Sequence, residues 1–155
     1  MFWNFVKIFL ISMVPLIELR GAIPISQVWG MPMIPSYIAC IIGNMLPVPF
    51  IYLFAAKFLE WGKDKKAIGK FCSWCLKKGH RAGKKLEEKA GKKGAFVALL
   101  LFVGIPLPGT GAWTGTLAAS FLGFGLKKSA VAVMCGVLLA GVIMMAASAL
   151  GVALL

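Results

Sequence analysis

Apolar residues fall into four long runs along the chain, at about 1–30, 32–58, 94–126 and 129–155, parted by one densely polar segment. The fourth run, Ser129–Leu155, holds no charge and no proline, and is long enough to cross a bilayer as one helix, since about 20 apolar residues suffice. The second is also long enough, with Pro47 and Pro49 predicting a kink or early unwinding near its end. The other two runs are interrupted at their middles. The first contains Pro15 and Pro24; the third contains the segment Gly104–Gly115, with Pro106, Pro108, Gly109 and Gly111. Proline removes an amide donor and glycine permits reversal, so neither run reads as one straight helix. Backbone freed at membrane depth must be buried in protein or line a cavity. Each interrupted run therefore predicts a re-entrant helical hairpin, with the first turning between Pro15 and Pro24.

Charge orients these elements. Lys57–Lys93 carries 13 positive side chains against four acids, within a chain of net charge +12. A basic block between apolar runs reads as a cytoplasmic loop. Lys92-Lys93 and Lys127-Lys128 place both ends of the second hairpin on that same side. The layout is hairpin and span (1–58), basic interfacial segment (59–93), hairpin and span (94–155). The halves run in opposite senses, as in inverted-repeat transporters. The expected fold is all-α: two re-entrant hairpins and two transmembrane helices in a single multi-pass domain of the cell (plasma or inner) membrane. The N-terminal run shows no leader cleavage pattern and is expected to belong to the membrane domain.

Within 59–93, Ile68, Phe71, Cys72, Cys75, Ala82, Leu86 and Ala90 recur at spacings near three and four. They predict an amphipathic helix on the membrane surface, its lysines meeting anionic headgroups. Gly79, Gly83 and Gly91 are expected to interrupt it. Confinement of the charge to one loop argues against nucleic acid as a partner. Cys72-Ser73-Trp74-Cys75 with His80 offers three ligands and no second cysteine pair, so a bland packing role is expected and no metal or cofactor.

Candidate chemistry concentrates at the breaks. Outside the basic segment Glu18 is the sole acid and Arg20 the sole arginine. A charge at mid-membrane costs roughly 2.5–3.5 kcal/mol on insertion scales, and its default reading is functional. Glu18 reads as a coupling acid and Arg20 as an anchor for an anionic group. The structural alternatives pair them with each other, with backbone carbonyls, or with water at the interface. Gly21, Pro106, Gly109, Thr110, Gly111, Trp113 and Thr114 are expected to line a substrate site, with free helix ends favouring an anion. Asn44, polar within the second run, is a further pathway candidate or an interhelical hydrogen-bonding residue. His80 is the one histidine, and the apolar runs hold no acid pair and no nucleophile with a base, so no enzyme is expected.

Pro15-x-x-Glu18-x-Arg20-Gly21-Ala22-Ile23-Pro24, together with Pro106-x-Pro108-Gly109-Thr110-Gly111-Ala112-Trp113-Thr114-Gly115, resembles the small multidrug export protein family over nearly the whole chain. That family is regarded as related in fold to the DedA (VTT-domain) membrane proteins. The resemblance implies two re-entrant hairpins, with Glu18 and Arg20 as the hairpin acid and arginine. DedA relatives are linked to proton-coupled movement of lipid carriers. The present chain departs from their pattern because Gly104–Gly125 bears no charge. The expected function is a small, proton-coupled secondary transporter of an anionic or amphipathic small molecule, working as a homodimer. The alternatives are a DedA-like lipid translocase or scramblase, and a non-transporting interaction subunit.

Overall fold

The computed structural model describes residues 2–15, 17–65, 69–107 and 110–153, without the side chains of 75, 76, 152 and 153. Every element among them is helical: α1 (Phe2–Met13), α2 (Glu18–Val28), α3 (Met33–Met45), α4 (Val48–Gly62), α5 (Gly69–Gly104), α6 (Ala112–Phe121) and α7 (Leu126–Ala153).

Two helical stretches have the length and apolarity to cross a membrane, Met33–Gly62 and Leu126–Gly151. The first comprises α3 and α4, which meet at Leu46-Pro47, the joint anticipated from the prolines. Because Pro47 and Pro49 lie at the start of α4, their missing amides fall where a helix has no internal acceptor for them. α1, α2 and α6 have 12, 11 and 10 residues. At 1.5 Å per residue they reach about 15–18 Å, short of the ~30 Å hydrocarbon core. Large apolar side chains such as Phe50, Phe54, Val131 and Val142 face outward, as a lipid-facing surface requires.

α1 and α2 pack on each other and on α3; α5 and α6 pack on each other and on α7. Across the halves the contacts exchange: α2 lies against α7, and α6 against α4. The core between them is built largely of small residues and short aliphatics, including Ala22, Cys40, Ala112, Ala119, Val133 and Ala140. Small side chains let backbones approach closely where lipid supplies no hydrophobic drive. At Gly43 a Cβ would fall 2.2 Å from Ser12 Oγ and 2.4 Å from the Phe9 carbonyl oxygen, so α1 and α3 meet there backbone to backbone.

One sequence expectation narrows and another changes. The first turn lies at the Pro15 end of the expected interval, between the end of α1 at Met13 and the start of α2 at Glu18, and Pro24 takes no part in it but sits inside α2. A left-handed φ of 51° at Glu18 completes that turn, leaving Pro24 to cost one internal hydrogen bond. In the basic segment, Gly79 and Gly83 are not breaks. A Cβ on either would lie 2.2 Å or less from a carbonyl oxygen, of Phe121 and Leu122 respectively, so they seat α5 on the end of α6. The covered face is Cys72, Gly83 and Leu86, and Phe71, Ala82 and Ala90 are exposed. The break is Gly91 (φ 71°, ψ 171°), where α5 redirects from its basic part to its apolar part. Ile68 lies outside the described residues. Gly83→Val is expected to lift the basic part of α5 off α6, raising tryptic cleavage at its lysines several-fold while Lys7 in α1 stays unchanged.

Candidate functional site

Glu18 and Arg20 stand two positions apart at the start of α2, so their side chains leave the helix about 200° apart. They straddle the tip of the opposite hairpin. Between them lies the connection from α5 to α6, with Glu18 reaching the start of α6 and Arg20 the end of α5.

The Glu18 carboxylate is 5% exposed. It accepts hydrogen bonds from the Ala112 amide (3.3 Å) and the Trp113 amide (3.1 Å). These are first-turn amides of α6, which have no acceptor within their own helix. A carboxylate at a helix N-terminus is also favoured by the helix dipole. Glu18 thus caps α6 from another hairpin. Its left-handed backbone costs about 1–3 kcal/mol, a strain typical of residues held in place by their surroundings. Gly111 makes room for it: a Cβ there would lie 1.6 Å from Glu18 Oε2.

Arg20 performs the complementary task. Its Nη2 donates to the carbonyls of Val103 (2.9 Å), Ile105 (3.1 Å) and Thr110 (2.8 Å), and its Nη1 donates to the carbonyl of Leu107. The Val103 carbonyl belongs to the last turn of α5, where acceptors are left over. Three of these carbonyls converge on Nη2 and the fourth lies at Nη1, so the set takes two nitrogens of the guanidinium, where an ammonium offers one. The Thr110 hydroxyl tightens the same tip by donating to Ile105 or Leu107, both at 2.9 Å. In return, the Trp113 indole donates to the Met13 carbonyl at the end of α1 (3.1 Å). Each hairpin therefore satisfies backbone groups of the other.

The proposed loop Gly104–Gly115 shortens accordingly. Ala112–Gly115 form the first turn of α6, so Trp113 and Thr114 project from a helix. Gly115 is a contact position, where a Cβ would meet Val103 Cγ2 at 2.3 Å. The hydroxyls of Thr114 and Thr116 donate to Gly111 and Ala112 carbonyls (3.2 and 2.5 Å).

Between the tips lies a cleft of about 380 Å³. It brings together Glu18, Arg20, Gly21, Pro106, Gly111, Trp113 and Thr114 from the sequence candidates, with Ile17, Leu107 and Met144 added. Thr110 joins through its carbonyl bond to Arg20. Gly109 lies outside the described residues. Asn44 lines a narrow gap behind Glu18 and Arg20, bounded also by Ala112, Val137 and Ala140. The sequence had no means of marking the carbonyls of Val103, Ile105 and Leu107 or the Ala112 amide, because every residue carries them; Met144 was one of many apolar residues in its run.

Among the described residues, no group of three or more His, Cys, Asp or Glu side chains is placed to hold a metal ion. Cys72 is buried on α5, and the Cys75 side chain is outside the described set.

A family model described as "Putative small multi-drug export protein" matches residues 18–143. The chain belongs to that family. The match begins at Glu18 itself and takes in the second hairpin tip, the basic segment and most of α7; the cleft residues from Glu18 to Thr114 lie within it, while Ile17 and Met144 fall just outside. No curated protein and no solved structure matches the chain.

Proposed function

We propose that this small multi-drug export family member is a proton-coupled secondary transporter, with Glu18 as coupling acid and the cleft between the hairpin tips as the substrate site. The observation that carries the reading is the position of Glu18: one buried acid holds two hairpins together through helix-end amides. Ionised, it makes charge-assisted bonds worth about 1.5–3 kcal/mol each; protonated, it makes ordinary ones worth about 0.5–1.5. Proton uptake thus loosens the junction, and proton release tightens it. That is a two-state element biased by a single charge.

The short helices of the first hairpin and of α6 enter the membrane and return on the same side, in opposite senses in the two halves. The exchange of partners, α2 on α7 and α6 on α4, supports an inverted arrangement in which one half rocks against the other. A cleft of about 380 Å³ is of the size that takes a small molecule. Its lip is apolar and open, with Ile17 and Leu107 exposed, which favours an amphipathic substrate. An anionic group would bind Arg20 only by displacing a tip carbonyl. The same open lip supports the second reading, a lipid translocase of the DedA kind, in which a headgroup passes the tips while its tail stays in lipid. Residues 59–93 lie on the cytoplasmic face of the cell membrane. Lys65 over the Trp61 ring (4.7 Å) and Lys78 over that of Trp74 (4.6 Å) support seating among anionic headgroups.

The test is a proteoliposome assay with a pH-sensitive dye inside and a panel of anionic and amphipathic compounds outside. Substrate-driven proton flux in the wild type, lost in Glu18→Gln, is the expected result. No flux in either protein, with labelled lipid redistributing equally in both, would replace coupled transport by an uncoupled scramblase.

A further inference from the structure

Asn44 is 2% exposed, and its Oδ1 has no hydrogen-bond partner among the described residues. Such an acceptor costs about 1–3 kcal/mol, so it calls for a partner. The gap it lines has no room for a water molecule. The partner must therefore come from the protein. Two side chains with polar heads share that gap, Glu18 and Arg20. The Arg20 amino groups are engaged by four carbonyls of the second hairpin. Glu18, ionised against two amides, is an acceptor and has no donor for Asn44 Oδ1.

Protonation changes that inventory. A carboxylic acid gains one O–H donor and keeps acceptor capacity for the α6 amides. That new donor needs an acceptor, and on the side of Glu18 away from the cleft there is no room for water to serve. We propose that Asn44 Oδ1 is the built-in acceptor for the proton on Glu18, making Asn44 a positioning residue for the protonated state. The inference rests on the reading of Glu18 as a proton-binding acid. It assigns the second transmembrane stretch a role in the coupling step: α3 supplies the acceptor that the neutral form of Glu18 needs.

Few other charged or titratable groups reach this region. α2 brings Arg20. α3 brings Tyr37, which donates to the Leu138 carbonyl (2.9 Å), and Cys40; α7 brings Cys135. α1 brings Lys7, over the Trp29 ring at 5.7 Å, while α6 and Gly94–Gly104 bring none.

The experiment is infrared difference spectroscopy of the full chain in lipid across a pH titration. The carboxylic-acid carbonyl band of Glu18 is assigned by its loss in Glu18→Gln. In Asn44→Leu, similar in size but without an acceptor, this band is expected to move to higher frequency, as for an acid whose O–H is unbonded. Asn44→Val serves equally if the leucine variant does not fold. A band unmoved in a folded variant overturns the proposal, as does the lack of any acid band lost in Glu18→Gln. Proton-driven flux in wild type with an unmoved band sinks the Asn44 assignment alone. A shifted band without substrate-driven flux sinks the transport reading and leaves the pair standing.

Discussion

Gly111→Ala is expected to destabilise the protein by at least about 3 kcal/mol and to abolish transport, although it adds one methyl group. The new Cβ would lie 1.6 Å from Glu18 Oε2 and 2.2 Å from its Cδ, so the carboxylate must leave. Leaving means surrendering the Ala112 and Trp113 amides while remaining in a buried setting. Thermal unfolding in detergent measures the loss, and a double-mutant cycle identifies its cause. With Glu18→Ala already present there is no carboxylate to displace, so adding Gly111→Ala should cost little further. Additive losses would show that Gly111 matters for its own backbone and not for the room it leaves.

Arg20→Ala should cost about 3 kcal/mol or more, since a buried acceptor left without a donor costs about 1–3 kcal/mol and several lose theirs at once. Four tip carbonyls lose their donor together, and Pro106 within the tip has no amide to substitute. Arg20→Lys is expected to recover only part of the loss, since one ammonium nitrogen cannot occupy both the Nη2 position among three carbonyls and the Nη1 position at Leu107. Deuterium uptake should rise across 103–113 in both variants, more in the alanine one, with the centre of α7 unchanged. A lysine variant as stable and as protected as wild type would reduce Arg20 to a simple positive charge.

The two variants probe the part of the site that the sequence disclosed only halfway. Glu18 and Arg20 announced themselves because a charge within an apolar run is costly and rare. Their partners did not, because amides and carbonyls have no residue identity; only the fold says which of them are left over at a helix end. The spanning stretches were legible from length and hydropathy alone, and the kink at Leu46-Pro47 from proline chemistry. Pro24 bounded the turn only loosely, since a proline's effect depends on whether the chain has already turned, and the turn was completed by a glutamate in a conformation usually left to glycine. Gly79 and Gly83 misled for a related reason. Glycine marks both loose backbone and close approach, and the carbonyls of Phe121 and Leu122 that distinguish the two cases lie about 40 residues away. Asn44 was visible as a polar residue in an apolar run, but its unpaired oxygen was not.

The reciprocal capping of the hairpins has a consequence for how the chain is made. The contacts of Glu18 and Arg20 lie 83 to 95 residues downstream. At a synthesis rate of about 5–20 residues per second, on the order of ten seconds pass before those groups leave the ribosome. Throughout that interval Glu18 and Arg20 lack the helix-end amides and carbonyls that satisfy them. Completion of the first half therefore waits on the second, and a pause or mutation that delays α6 should leave the nascent first half open to quality-control proteases.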